Sequence, residues 1–247
     1  MDKLNYVKCI VSYDGSKFNG WQIQNDFRSV QEEIQLALFK MHKHEVSITG
    51  AGRTDKGVHA LGQTFNFASE LNLTLYEWKK ALNHYLPDDI HIKEVEFVDE
   101  NFHSRFSSKS KKYVYYLNTN EFDPIKKDYI YQYNRELDIK QMQEDAKLFV
   151  GHHDYMNFCA NSIEEVKSFE KDIHSFDIKE EDGIISFEVI GSGFLRYQIR
   201  MMVGALIAIG SHKQTNSIIL ERLDKKEANT IMYNAPSVGL YLVEIIY

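Results

Sequence analysis

Gly50-Ala51-Gly52-Arg53-Thr54-Asp55-Lys56-Gly57-Val58-His59-Ala60 sets one aspartate between two cations in a glycine-rich turn. Val46 and Ile48 alternate with polar residues before it, and Phe65 and Phe67 do so after it. That period of two predicts strands around Glu45–Thr49 and Thr64–Ala68, joined by the turn. Gly50, Gly52, Gly57 and Gly62 permit positive φ and close approach by another backbone. Arg53 and Lys56 favour the ionised form of Asp55, and such a carboxylate suits nucleophilic attack or proton abstraction. The residue types alone fit a solvated hairpin turn equally well.

Working outward, Leu4–Tyr13 alternates and is rich in Val, Ile and Tyr, which predicts a strand. Val30, Ile34, Leu38 and Met41 have helical spacing behind Ser29, with Glu32 three residues later, so a capped helix is expected to His42. A second helix is expected over Thr74–Tyr85, closed by Pro87, and a strand over Ile90–Val98. The order is β-α-β-β-α-β, the split unit of ferredoxin-like folds. The second half repeats it less cleanly. A strand at Lys112–Leu117 precedes a helix at Ile139–Leu148 capped by Asp138. Phe169–Lys179 and Ile184–Ile190 pair across an Asp182-Gly183 turn; a long helix spans Phe194–Ile209 and a last strand Leu240–Tyr247. The fold class is therefore α+β in two related halves, with the boundary between residues 100 and 108 and domains assigned to 1–103 and 104–247.

A chain of 247 residues can bury a substantial core. No apolar run approaches the roughly 20 residues a membrane span needs. Residues Met1–Asn5 carry no signal-peptide core, and Cys9 and Cys159 are too few for a zinc cluster. A cytoplasmic protein without structural disulfides is expected. The net charge of −7 is unusual for a partner of nucleic acid, but it is unevenly spread. Between Glu164 and Asp182 eight acids face three lysines. Phe102–Asn120 holds Arg105, Lys109, Lys111 and Lys112 with no acid, and Gly191–Lys213 holds Arg196, Arg200 and Lys213 with none. A cationic face opposed by an acidic back would suit RNA. His152-His153-Asp154 lacks a second ligand group at metal spacing and reads as a capped helix end or turn.

The central stretch carries every fixed position of G-R-T-D-x-G-V-H-A, and so resembles the catalytic motif of the tRNA pseudouridine synthase A family. Tyr13-Asp14-Gly15-Ser16-Lys17-Phe18-Asn19-Gly20-Trp21-Gln22 resembles that family's Y-D-G segment and is followed by Arg28-Ser29-Val30-Gln31. Phe102–Ser107 is similar to its F-H-A-R-F-S element, and Lys112-Tyr113-Val114-Tyr115 to its [KR]-Y-x-Y element. Gly193–Gly204 and Gly239-Leu240-Tyr241-Leu242 complete the set, in family order along nearly the whole chain. Ser104 stands where alanine is commoner and Gln198 where methionine is usual, while Asn161–Asp182 fits poorly.

The resemblance implies two ferredoxin-like halves with sheets joined edge to edge and an active-site cleft between them. It implies isomerisation of uridine in the anticodon stem-loop of tRNA, by a homodimer, with no cofactor and no metal. Asp55 would be the nucleophile, at C1′ or at the base, with Arg53 opening or holding the flipped nucleotide. Tyr113 would stack on the uracil and assist proton movement at C5, Arg200 would pair with Asp55, and Leu240 would line the pocket. Arg105, Lys109, Lys111, Lys112 and Arg196 would contact phosphates. His59 and His103 read as structural hydrogen-bonders. Three rivals keep parts of this reading: the same chemistry on ribosomal RNA, a non-catalytic RNA-binding protein or tRNA chaperone, and a nucleoside hydrolase, which would want a second acid.

Overall fold

A computed structural model describes residues 4–160, 166–224 and 233–247. In chain order the elements are β1 (Asn5–Tyr13), α1 (Val30–His42), β2 (Thr49–Gly50), β3 (His59–Ser69), α2 (Leu75–Tyr85) and β4 (Ile90–Phe97). There follow β5 (Ser110–Asn118), β6 (Tyr131–Gln132), α3 (Ile139–Ala146), β7 (Gly151–Asp154), β8 (Glu170–Glu181) and β9 (Ile184–Gly191). The chain closes with α4 (Gln198–Gly210), α5 (Ser217–Asp224) and β10 (Leu240–Ile246). Short 3-10 turns fall at Gly15–Lys17, Lys147–Phe149, Met156–Phe158 and Ser237–Gly239. The chain divides into two compact units, residues 1–109 with 241–247 and residues 110–240. Each is α+β on a mixed sheet.

In the first unit β1 pairs antiparallel with β3 and β4, β2 pairs antiparallel with β3, and β10 runs parallel to β3. Val7, Cys9 and Val11 alternate inward along β1, with Phe65 and Phe67 on β3. Ile34 and Leu38 of α1 and Trp78 and Leu82 of α2 are fully buried in the same unit. Both helices start where side-chain chemistry dictates. The Ser29 hydroxyl accepts from the Glu32 N–H, and Thr74 and Glu77 form a reciprocal capping box.

Several sequence expectations are corrected. The strand at Glu45–Thr49 shrinks to Thr49–Gly50, which pair with Asn66 and Phe65. Val46 and Ile48 are nevertheless buried, so their alternation marks burial without a hydrogen-bonded ladder. β3 starts at His59, because His59 and Ala60 lie beside Tyr241 and Leu242 of β10. That long-range pairing places Tyr241–Tyr247 in the first unit, whereas the sequence division grouped them with the second half. Of the four motif-region glycines only Gly57 has positive φ. Gly50 is small for another reason: a Cβ there would lie 2.7 Å from the Trp21 indole.

The second unit orders its strands β5-β9-β8-β7, all antiparallel, with β6 parallel to β5. The β8–β9 connection has Asp182 at φ 51° and Gly183 at φ 72°, the paired positive values of a type I′ hairpin. α4 is buried all round except at Arg200, as befits an internal helix. It begins at Gln198 and not at Phe194. Tyr197 sits in the left-handed region, and the Gln198 Oε1 accepts from the Leu195 N–H 2.8 Å away, so a tight turn precedes the helix. His152-His153-Asp154 is neither a turn nor a helix end: it forms β7, paired to β8, with His152 Nδ1 2.9 Å from Asp172 Oδ1. Among the described residues no group of three or more His, Cys, Asp or Glu could hold a metal ion. No helix among them is long and apolar enough to cross a membrane. Glu164 and Glu165 of the acidic stretch lie outside the described residues.

Candidate active site

Asp55 sits in the loop from Ala51 to Val58, between β2 and β3, and is half-buried. Arg53 and Lys56 on either side are exposed and form no ion pair among the described residues. The backbone beneath them is tied to its own unit at almost every residue. The Ala51 N–H donates to the Thr64 carbonyl, and the Gln63 side chain donates to the Gly52 carbonyl at 2.9 Å. The Trp21 N–H donates to the Thr54 carbonyl and the Gly57 N–H to the Phe18 carbonyl. Val58 N–H closes a turn on the Asp55 carbonyl. A loop held at this density keeps its side chains where the backbone aims them.

The segment Tyr13–Gln31 supplies much of that hold. It folds back on itself through Asn19 N–H to Arg28 carbonyl, Val30 N–H to Gly20 carbonyl and Gln31 N–H to Trp21 carbonyl. Arg28 fixes the bend: its guanidinium lies 4.2 Å from the Phe18 ring centroid and makes two hydrogen bonds, 2.6 and 2.9 Å, to Asp89. Asp89 and Glu33 raise its pKa further, so it is a permanent cation committed to this unit.

His59 is buried, stacked on Tyr241 at 4.6 Å. Its Nδ1 accepts from the Gly15 N–H at 3.0 Å. Asp14 Oδ1 lies 3.3 Å from the same nitrogen, but an Nδ1 that accepts a proton cannot also donate one. The Gly15 bond is the better placed, and Asp14 Oδ1 accepts from the Ser16 N–H and hydroxyl. His103 Nδ1 accepts from the N–H groups of Arg105 and Phe106. Both histidines thus hold backbone.

In the second unit Tyr113 is buried on β5, opposite Val189, with its ring edge-on to Phe194 at 5.3 Å. Arg200, in the first turn of α4, donates from Nε to the Ala235 carbonyl at 2.7 Å and lies 4.7 Å from the Tyr197 ring. That bond fixes the guanidinium plane. Leu240 is buried where β10 begins.

The expected phosphate contacts are less uniform. Arg105 and Lys109 of the first unit and Arg196 of the second are exposed. Arg105 lies over Phe106 and Arg196 over Tyr197. Lys111 is half-buried, and Lys112 pairs with Glu188 at 2.8 Å. A depression of about 540 Å³ in the second unit involves none of these residues. Its charged lining of Glu121, Asp123, Glu181 and Asp182 against Lys126 and Lys179 is poorly suited to a polyanion.

The two departures from the family pattern have structural work to do. Ser104 donates from its hydroxyl and its N–H to Asn66 Oδ1, at 2.7 and 2.9 Å. Gln198 caps the turn before α4, as described above. Sequence reasoning missed the roles of Arg28, Tyr13, Thr54 and Gln63. Their partners lie tens of residues away, so no local pattern marks them.

A family model described as tRNA pseudouridine synthase matches residues 9–107 and 146–247. The chain is 39% identical over 243 residues to the tRNA pseudouridine synthase A of Geobacillus sp. (strain WCH70), covering 98% of each. It is 37% identical over 244 residues to that of Bacillus subtilis (strain 168) and 40% identical over 244 to that of Bacillus pumilus (strain SAFR-032), again covering 98% of each. A chain of a solved Cbf5-Nop10-Gar1 complex aligns at 12% identity with a TM-score of 0.33, covering 81% of this chain and 54% of that one, too distant to inform the fold. By the extent of the family match and by the full-length identity to its relatives, the chain belongs to the tRNA pseudouridine synthase family.

Proposed function

We propose that this enzyme isomerises uridine to pseudouridine in the anticodon stem-loop of tRNA, with Asp55 as its nucleophile. The observation that carries the reading is the Asp55 loop itself: a half-buried carboxylate flanked by two exposed cations, on a backbone anchored at nearly every residue. The reaction breaks the N1–C1′ bond, turns the base and joins C5 to C1′; the C5 proton leaves and N1 gains one. Asp55 attacks C1′ or the base, which opens the covalent route that splits one hard step into two. Arg53 holds the flipped nucleotide, and extrusion from the stack costs a few kcal/mol that such contacts offset. Tyr113 stacks on the uracil and assists removal of the C5 proton. Arg200 pairs with Asp55, and Leu240 lines the base pocket. Arg105, Lys109, Lys111 and Arg196 position phosphates; Lys112 does so only by exchanging its Glu188 partner.

The same reading takes the first unit, with its order β4-β1-β3-β2, as a ferredoxin-like split unit, and the protein as cytoplasmic and homodimeric. Mapping pseudouridine in tRNA and ribosomal RNA after incubation with the purified enzyme tests the substrate. New pseudouridine confined to the anticodon stem-loop is expected; modification of ribosomal RNA alone would transfer the assignment to that substrate. Light scattering of the purified protein is expected to give twice the chain mass of 28.9 kDa. A monomer at working concentration would remove the dimer from the account.

A further inference from the structure

Beneath the Asp55 loop lies a buried polar cluster with no direct part in the chemistry proposed above. The Tyr13 hydroxyl is 2.8 Å from Thr54 Oγ1, and both side chains are buried. Gln63, wholly inaccessible, donates to the Gly52 carbonyl at 2.9 Å. Its own Oε1 accepts from the Thr64 N–H at 3.0 Å. The cluster therefore grips residues 52 and 54, the two that alternate with Arg53 and Asp55 along the loop. Thr54 is held twice, through its hydroxyl from below and through its carbonyl by the Trp21 N–H.

Local packing does not demand these groups. Tyr13 packs its ring against Phe18 and Trp21, which phenylalanine would do as well, and valine matches the shape of threonine. Burying three polar side chains in one place is favourable only when each is satisfied, so such clusters fix one geometry at the cost of tolerance. Here the geometry fixed is that of the backbone carrying Arg53 and Asp55.

We propose that Tyr13, Thr54 and Gln63 are positioning residues for the reaction: a buried relay that sets the direction of Asp55 and Arg53 by anchoring the backbone between and beside them. The inference rests on Asp55 being the nucleophile. A displacement of about 1 Å at a reacting group costs on the order of 10²-fold in rate, while uniform substrate binding is left alone. Removal of either hydroxyl therefore lowers kcat and leaves KM for tRNA nearly unchanged.

The test compares Tyr13→Phe, Thr54→Val, their double variant, Thr54→Ser and Asp55→Ala in the full-length enzyme, by steady-state kinetics on tRNA. Urea unfolding of each variant at the assay temperature gives the folded fraction. Tyr13→Phe and Thr54→Val are expected to lose roughly tenfold to hundredfold in kcat with KM within about twofold. Thr54→Ser keeps the hydroxyl and is expected within about threefold of wild type, and the double variant no lower than about the worse single one, because the pair acts as a unit. Wild-type kcat in Tyr13→Phe and Thr54→Val, with Asp55→Ala inactive, overturns the positioning role and leaves the nucleophile standing. A loss that merely follows the folded fraction, or that Thr54→Ser fails to rescue, also overturns it. Activity in Asp55→Ala instead overturns the reading on which it rests.

Discussion

Replacing Asp55 with alanine is expected to lower kcat by on the order of 10⁴-fold or more, to the limit of detection, while tRNA affinity changes by no more than about threefold. The size follows from the role. A nucleophile acts only in the chemical step, so its removal takes away transition-state stabilisation and leaves ground-state binding intact. Folding should survive, because Asp55 is half-buried and the loop is held through the side chains of Thr54 and Gln63 and the backbone of its neighbours. The removed charge lies between Arg53 and Lys56, so the variant surface becomes locally more cationic and binding of a polyanion should, if anything, tighten slightly. Single-turnover kinetics with filter binding on the same preparation separates the two effects. Loss of affinity equal to the loss of rate would make Asp55 a binding residue.

The second large effect is expected at a residue with no chemistry at all. Gly20 has φ 92°, and a Cβ there would lie 2.4 Å from the Thr54 carbonyl oxygen. That oxygen is the acceptor for the Trp21 N–H, one of the bonds that fix the Asp55 loop. Gly20→Ala therefore combines strain of about 1–3 kcal/mol with a direct push on the residue next to the nucleophile. A drop of at least about 2 kcal/mol in unfolding free energy is expected, with kcat reduced by about hundredfold in the molecules that stay folded. Gly193→Ala is the control. A Cβ at Gly193 meets nothing within 4 Å, so stability and kcat should hold. Urea unfolding and tRNA kinetics on both variants decide the matter; equal behaviour of the two would remove the steric argument.

Gly20 also illustrates what can be read from a chain and what cannot. The motif string of the Asp55 loop was legible because residues adjacent in sequence stay adjacent in space. The caps at Ser29 and Asp138 and the hairpin at Asp182-Gly183 were legible for the same reason: each is a bond or a dihedral spanning three or four residues. Failures came where the deciding partner is remote. Val46 and Ile48 alternate as a strand would, yet burial alone explains them. The histidines of β7 pair with β8 about twenty residues on, and single-sequence reading of four polar residues had no means to know it. Tyr241–Tyr247 left the second half because β10 adds beside β3, at His59 and Ala60.

The candidate site follows the same division. Asp55, Arg53, Tyr113 and Arg200 were visible as motif positions. What holds the first two was not. Tyr13 and Thr54 are separated by 41 residues, and Arg28 and Asp89 by 61. The Y-D-G-x-x-F-x-G-W-Q segment, which the sequence matched to the family without giving it a role, braces the Asp55 loop. Its glycines and aromatics are there because the loop is close, and its one arginine neighbour, Arg28, is spent on Asp89 and Glu33.

Tritium release from tRNA labelled with [5-³H]uridine, with wild type and Asp55→Ala assayed side by side, tests the central claim most directly, because joining C5 to C1′ expels the C5 proton. Release by wild type that grows with time toward the content of modifiable uridine, and none by Asp55→Ala, is the result the account predicts. Equal release by the two proteins, or none by a folded, tRNA-binding wild type, would contradict it.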